Sequence, residues 1–480
     1  MNLKTIPNPD KIGEYNLFVS HSDKNDLTRL SYQLSKYPFV SKIYLVSDTP
    51  VSLEQDGLPI EVISQDEENE KRKVKVPIWV AEKDNLERIL KGQYNSIRPV
   101  TAEFVTTLNC NFRCVQCSYA EPKKDEDVWL KEDSSRILYQ SNFSPKTHMT
   151  SEVMQVTLDR LAEGGVQNIL FTGGGEPLMN PITVEGMQRA RKNGNVVALY
   201  TNGMFMNPSA ARRILETQPL FVRVSVYGGD EKSAKKYTQT REGQSAYTTV
   251  IENIKSFALE KEETHSETRL GLSYLIHPLN VDGIDSFADT ILTFPSPVLE
   301  QLSFIRFTPA VDYFHGQQHS KEFMEQAFDR VVQGISPRFE GTGIKIKPYY
   351  HRLKDLNAKK GYGTCRSNGW FVEVSPSGET FLCCEKHFLP DYKIGDLTSQ
   401  TLDEIWNSKL REDVIKRVND TQCADCPTLC KPHELNKRFN QIEELREDGE
   451  IARVEQWVKD IIQSGIECGY CPGKLNNFES

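Results

Sequence analysis

Thr101-Ala102-Glu103-Phe104-Val105-Thr106-Thr107-Leu108-Asn109-Cys110-Asn111-Phe112-Arg113-Cys114-Val115-Gln116-Cys117 is the stretch on which the fold turns. It opens as an apolar, β-rich run and breaks near Asn109 into a loop interrupted by asparagines and an arginine. Parallel α/β barrels keep their chemistry in such loops, at the C-terminal ends of the strands.

Working outward from it, five more segments of the same kind follow: QNILFTG, NVVALYTNG, FVRVSVYG, LGLSYLIHP and LSFIRFTPA. Helical patterns sit between them, among them SEVMQVTLDRLAEGG, ITVEGMQRARKNG, AYTTVIENIKSFALEK and VDGIDSFADTIL. Each carries apolar residues three or four apart, and two end at glycine, a common helix stop. Six strand-helix units in series predict a parallel sheet with right-handed crossovers. The fold class is α/β, with a partial (β/α)6 TIM-like barrel over residues 99–340.

Residues 1–98 alternate YNLFVS, NDLTRLSYQLSKY, KIYLVS and LPIEVIS, which predicts a small N-terminal α/β domain. The charged run from Asp66 to Lys73 reads as a solvated loop. Between Cys117 and Thr150 lies a long charged segment that also holds Trp129, Leu130 and Tyr139. A segment of that length reads as a lid or a disordered excursion. After residue 340 the rhythm fades, WFVEVSPSGETFLCCEK predicts a hairpin turning on Ser-Pro-Ser-Gly, and a cysteine-rich module fills 341–480.

The totals narrow the function. A chain of 480 residues has room for roughly three domains. Its net charge of −9 gives no general attraction to nucleic acid or an anionic membrane. No apolar run approaches the roughly 18 residues of a membrane span, and MNLKTIPNPDK lacks the apolar core of a signal peptide. The expectation is a cytoplasmic protein. There, eleven cysteines point to metal more than to disulfides. Three fall between 110 and 117 and the other eight all lie after residue 364, a segregation that scattered core cysteines would not show.

Spacings of three and two residues let one loop offer Cys110, Cys114 and Cys117 to three corners of a cubane iron-sulfur cluster, leaving one iron open. An open position marks a catalytic metal. On spacing alone, a tetrahedral zinc site with a fourth ligand from elsewhere also fits.

Cys-x3-Cys-x2-Cys after a first barrel strand resembles the signature of the radical S-adenosylmethionine (SAM) superfamily. Further elements support the resemblance in order. Gly173, Gly174, Gly175 and Glu176 resemble the glycine-glycine-glutamate motif, where a backbone edge and a carboxylate hold the SAM amino group. Thr201-Asn202-Gly203 resembles the family's Thr-Asn-Gly, and Ser225 followed by Arg241 is similar to the serine and arginine that contact SAM in many members. Gln116 departs from the aromatic residue usual before the third cysteine. The resemblance implies that a [4Fe-4S] cluster binds SAM and reduces it to a 5′-deoxyadenosyl radical, which takes a hydrogen atom from the substrate. An electron donor such as flavodoxin or ferredoxin is implied with it.

Cys365, twelve residues, Gly378, four residues and Cys383 resemble the opening of the SPASM and twitch modules, which hold auxiliary clusters. Ile394-Gly395-Asp396-Leu397 and Leu402-Asp403-Glu404-Ile405-Trp406 resemble their connecting segment. With Cys423 and Cys426 this gives a four-cysteine set. The fuller SPASM spacing is not kept, because Cys430 follows Cys426 after three residues and Cys468-x2-Cys471 comes later. Cys430, Cys468, Cys471 and Cys384 are left for a second cluster, a structural zinc clamp, or plain thiols. One or two auxiliary [4Fe-4S] clusters are expected, carrying electrons. Cys383 and Cys384 are chain neighbours whose side chains point apart on a strand, so they do not suit one cluster. His387 and His433 read as surface residues rather than ligands.

The resemblance leaves two substrate classes, with oxidation, epimerisation or crosslinking in maturation of a peptide or natural product as the first. The second is the same chemistry on a sugar or aminoglycoside-like metabolite, mildly favoured by the N-terminal alternation, which does not read as a winged-helix leader-peptide binder. A non-catalytic metal scaffold would not need the SAM motifs. Arg306 and Tyr313, at the end of the last strand, are candidates to face a substrate.

Overall fold

The protein is seen in a computed structural model that describes residues 2–7, 15–20, 40–46, 60–63, 84–85, 87–115, 117, 120–121, 137–138, 148–240, 242–310, 320–349, 360–386, 388–421, 426, 430, 432–450 and 452. Gln116, Arg241, Tyr313, His387, Cys423, Cys468 and Cys471 lie outside these residues, as do Trp129, Leu130, Tyr139 and the run Asp66 to Lys73.

Four N-terminal strands, β1 (Asn2–Pro7), β2 (Tyr15–Ser20), β3 (Val40–Val46) and β4 (Ile60–Ile63), pair in sequential order as a separate sheet. β1 runs antiparallel to β2, and the other pairings are parallel.

In chain order there follow β5 (Thr101–Val105), β6 (Phe112–Cys114), β7 (Ala120–Glu121), β8 (Ile137–Leu138), β9 (Asn168–Thr172), β10 (Val196–Thr201), β11 (Phe221–Ser225) and β12 (Thr238–Thr240). Then come β13 (Arg269–Ile276), β14 (Leu302–Pro309), β15 (Lys345–Pro348), β16 (Phe371–Val374), β17 (Glu379–Phe381) and β18 (Lys393–Asp396). Strands β5, β9, β10, β11, β13 and β14 lie side by side in that order, every pairing parallel. These are the six segments read from the sequence. β5 and β14 do not pair, so the barrel is partial and open.

Alternation along each strand divides the side chains between two faces. One face gives Phe104, Ile169, Phe171, Leu199, Val222, Val224, Leu272 and Phe307, all fully buried against the helices. The helix α1 (Ser151–Glu163) shows how each outer element is built. Thr150 caps it by accepting the Val153 N–H, its stripe of Met154, Leu158 and Leu161 is buried, and Gly164 ends it. Truncating one of the buried phenylalanines would cost about 3–5 kcal/mol. The opposite face, with Glu103, Leu170, Tyr200, Arg223 and Arg306, lines the barrel interior.

Two features extend the predicted plan. The parallel order continues past residue 340 through β15, which pairs with β14. On the other side β16 pairs in parallel with β5, Phe371 opposite Thr101, so the C-terminal module begins as a strand of the core sheet. β17 and β18 continue it antiparallel. The Ser-Pro-Ser-Gly turn forms, with Gly378 at φ +89°, where side chains are disfavoured. The segment after the first cysteine cluster is not wholly without regular structure, since β7 and β8 pair antiparallel.

Polar anchors fasten the module to the core. The Trp406 indole donates to Ile97 O at 2.7 Å, and Arg411 donates to Asn95 O at 2.7 Å. From α1, Arg160 donates to Leu397 O at 2.7 Å. The helix His433–Glu447 packs Leu435, Phe439 and Ile442 against Tyr94, Ile97, Trp370 and Phe371.

Candidate functional site

The loop that follows β5 is held on three sides. Asn180 donates to Thr106 O at 2.9 Å. The Asn109 amide lies 2.9 Å from His148 Nε2. β6 pairs antiparallel with β12, extended by the Val115 N–H donating to Tyr237 O at 3.0 Å. That second strand leaves the short helix α2 (Glu231–Tyr237), which starts at a capping box in which Asp230 accepts the Ser233 N–H at 2.7 Å.

This frame brings the three cysteines together, each half-buried. Phe112 N–H donates to Cys110 Sγ at 3.4 Å, and the Thr238 hydroxyl donates to Cys114 Sγ at 3.7 Å. Burial pushes the Cys110 thiol well up, and its neighbours Cys114, Cys117 and Glu176 push it further. A thiol so placed does not ionise by itself, and a cationic metal core is what would make it a thiolate. Among the described residues, no three Cys, His, Asp or Glu groups gather at the spacing of a single metal ion.

Gly173 and Gly175 are required by close backbone approach. A Cβ on Gly175 would stand 2.0 Å from Asn109 O, and one on Gly173 would stand 1.9 Å from Gly175 O. The Glu176 N–H also donates to Asn109 O, at 2.8 Å. The glycine loop thus lies directly on the cysteine loop. Glu176 is almost wholly buried and accepts from the Thr201 hydroxyl at 2.6 Å, the Asn202 N–H at 2.7 Å and the Leu178 N–H at 3.1 Å. Burial raises its pKa to about 7, against the pull of these three donors. Asn202 donates to Asn111 Oδ1 at 2.8 Å, which returns the Thr-Asn-Gly turn to the cysteine loop.

One pocket of about 290 Å³ collects these parts. Its lining includes Cys110, Cys114, Gly173, Gly175, Glu176, Thr201, Asn202 and Ser225, so most of the residues singled out in the sequence meet at one place. Sequence reading missed Tyr200 and Arg223 as pocket groups, and His148 and Asn111 as supports of the loop. Their positions follow from strand register and long-range contact, for which the chain carries no local signal. Arg306, a candidate from the sequence, is buried on β14 over the Tyr349 ring at 4.3 Å, and its Nε donates to Thr308 Oγ1 at 2.8 Å.

The C-terminal thiols form a second group. Cys365 receives a hydrogen bond from Asn436 at 3.5 Å, and Cys383 receives one from the Glu385 N–H at 3.4 Å. Cys430 is buried, which raises its pKa well above the usual thiol value. Lys360 opposes the shift, while Glu385, Cys383 and Cys365 add to it. Tyr362 OH stands 4.0 Å from Cys430 Sγ and 2.9 Å from His433 Nδ1, and that histidine is buried rather than exposed. Cys384 is buried beside half-buried Cys383.

Residues 104–287 match the profile of the radical SAM superfamily, and residues 365–427 match that of SPASM, an iron-sulfur cluster-binding domain. The chain belongs to the radical SAM superfamily and carries a C-terminal SPASM domain. Its cofactors are accordingly SAM and [4Fe-4S] clusters. The chain is 30% identical over 141 residues to the dTDP-4-amino-4,6-dideoxy-D-glucose ammonia-lyase of Streptomyces venezuelae, a match that spans 28% of this chain and only 28% of that enzyme. It is 22% identical over 347 residues to the cysteine-type anaerobic sulfatase-maturating enzyme of Clostridium novyi, covering 66% of this chain and 82% of the relative. Streptococcus suis SuiB, solved bound to precursor peptide SuiA, shares the fold at a TM-score of 0.50 and 12% identity, over 82% of this chain and 78% of that one. No helix among the described residues is long and apolar enough to cross a membrane.

Proposed function

We propose that this protein is a radical SAM oxidoreductase or maturase, which cleaves SAM reductively and takes a hydrogen atom from an unactivated carbon. The observation that carries this reading is the convergence of Cys110, Cys114, Gly173, Gly175, Glu176, Thr201, Asn202 and Ser225 on one pocket. Cys110, Cys114 and Cys117 would hold a [4Fe-4S] cluster, which with SAM supplies a 5′-deoxyadenosyl radical. The chain's own part is positional. Gly175 brings a backbone edge against the cysteine loop, and Gly173 allows the tight turn that places it there. Glu176 fixes the Thr201-Asn202 turn beside it. Ser225, and Arg241 beyond the described residues, complete the SAM contacts in this reading.

Cys365, Cys383 and Cys430, with Cys423 or Cys426 as the fourth ligand, hold an auxiliary [4Fe-4S] cluster that carries electrons. Cys468 and Cys471 belong to a second one. We divide the chain into a small α/β unit at 1–98, a radical SAM core at 99–340 and an auxiliary-cluster module at 341–480. Flavodoxin or ferredoxin is the electron donor.

The substrate reading is maturation of a peptide or natural product by oxidation, epimerisation or crosslinking, supported by the similarity to the sulfatase-maturating enzyme over most of that relative. Action on a sugar-like metabolite is favoured by a different observation, the 30% match to the sugar-nucleotide ammonia-lyase. The test is electron paramagnetic resonance of the anaerobically iron-loaded, reduced protein. A [4Fe-4S]+ signal that shifts on adding SAM supports the reading, and a signal indifferent to SAM counts against it.

A further inference from the structure

The described lining of the pocket holds one acid and one base. The acid, Glu176, is occupied by its three hydrogen bonds with Thr201, Asn202 and Leu178. The base is Arg223. Its guanidinium carbon stands over the Tyr200 ring, 3.3 Å from the centroid, and its Nε and Nη1 are buried without a hydrogen-bond partner among the described residues. A buried guanidinium leaves donors unmet at a real cost unless a ligand meets them. The stack on Tyr200, directly opposite Arg223 in the parallel register, holds the fork in place.

Its depth tells what the ligand is. Arg223 precedes Ser225 by two residues on the same face of β11, so it lies roughly 7 Å further down the strand. The contacts that the motifs provide for SAM are at the upper level, with Ser225, Asn202 and the cysteines. Arg223 is one layer below them, inside the barrel. A second arginine approaches from across the wall. Arg306 on β14 stands level with Ser273 and, through it, with Ser225, one strand removed from β11 and roughly 10 Å away at the backbone. Desolvation raises the pKa of the half-buried Tyr227 phenol, and the Arg223 and Arg306 guanidiniums both pull it back down. Arg223 one layer below the SAM contacts and Arg306 at their level, each over an aromatic ring, give this side of the barrel two cations for an anion.

We propose that Arg223, with Arg306 as the second cation, binds an oxyanion of the substrate, a carboxylate or phosphate, and so fixes which carbon is presented to the cysteine-loop end of the pocket. This deepens the proposed function and rests on it for the term substrate. Arg223 is assigned here to specificity, since the motif residues matched to SAM contacts are Ser225 and Arg241 and not Arg223. The same fork could meet one other oxyanion, the carboxylate of SAM, and the test separates the two.

The experiment titrates the anaerobic, iron-loaded, SAM-saturated protein with inorganic phosphate and with acetate by calorimetry, comparing wild type, Arg223→Gln and Arg223→Lys. SAM affinity is measured on each without added anion. Thermal melting and iron content check that the variants fold and load. The expected result is saturable binding of phosphate, acetate or both to the wild type, weakened at least about tenfold in Arg223→Gln and less in Arg223→Lys. SAM affinity should stay within about twofold. Equal anion binding in all three proteins, or none in the wild type, overturns the proposal. So does a loss of SAM affinity about tenfold or greater in Arg223→Gln, which would assign the fork to SAM's own carboxylate. A wild type that binds the anion yet never cleaves SAM would instead refute the enzymatic reading and leave an anion site standing.

Discussion

The Glu176 carboxylate accepts a 2.6 Å hydrogen bond from the Thr201 hydroxyl, tying the loop after β9 to the turn after β10. Removing that hydroxyl leaves a buried carboxylate short of a donor. Thr201→Val should therefore lose about 1.5–3 kcal/mol of stability in urea denaturation. SAM affinity should fall with it, because Asn202 and the glycine loop lose their common strut. An unchanged midpoint would show that the strut carries no load.

Gly175 has no room for even a methyl group, with Asn109 O at 2.0 Å from an added Cβ. Gly175→Ala should displace the cysteine loop and reduce iron incorporation at the first cluster. Gly334→Ala, where a Cβ meets nothing within 4 Å, is the matched control and should load normally. Iron and sulfide analysis after reconstitution reads both.

Asp230 caps the helix whose exit strand holds β6, and the Ser233 N–H that it accepts holds its pKa below the ordinary 3.8. Asp230→Ala should cost about 1 kcal/mol. The sign follows from linkage: a carboxylate with a lowered folded pKa stabilises above its unfolded value and stops doing so as pH falls through the folded one. Wild type and Asp230→Ala should thus differ in melting temperature at neutral pH and converge in acid below 3.8. A difference that grew toward acid would contradict the cap.

In the proposed reading Cys430 shares a cluster with Cys365 and Cys383, whose thiols add to its raised pKa. Cys430→Ala, like Cys426→Ala, should lower the iron content by up to one cluster of about four irons, keep SAM cleavage and stop substrate turnover. Full iron content in Cys430→Ala would leave that thiol outside the cluster.

Much of this was legible in the chain. Six strands were readable because buried parallel strands are continuous apolar runs, and their loops carried recognisable motifs in order. The pairing of β16 with β5 was not, since it joins Phe371 to Thr101 across the whole barrel with no local cue. β15 was missed because Lys345-Ile346-Lys347-Pro348 is short and half charged. Within the site, glycines and cysteines announced themselves, whereas Arg223 over Tyr200 depends on strand register, which only the fold supplies. Cys430 was a candidate ligand from the sequence, but which other thiols lie near it was not readable from spacing.

The central claim is that the pocket lined by Cys110 and Cys114, beside Cys117 on the same loop, cleaves SAM. The direct measurement is 5′-deoxyadenosine formed from SAM by the reduced, iron-loaded protein under anaerobic conditions, beside Cys114→Ala treated identically. The account predicts product from the wild type and none from the variant. No product from the fully loaded wild type, or equal product from both, would contradict it.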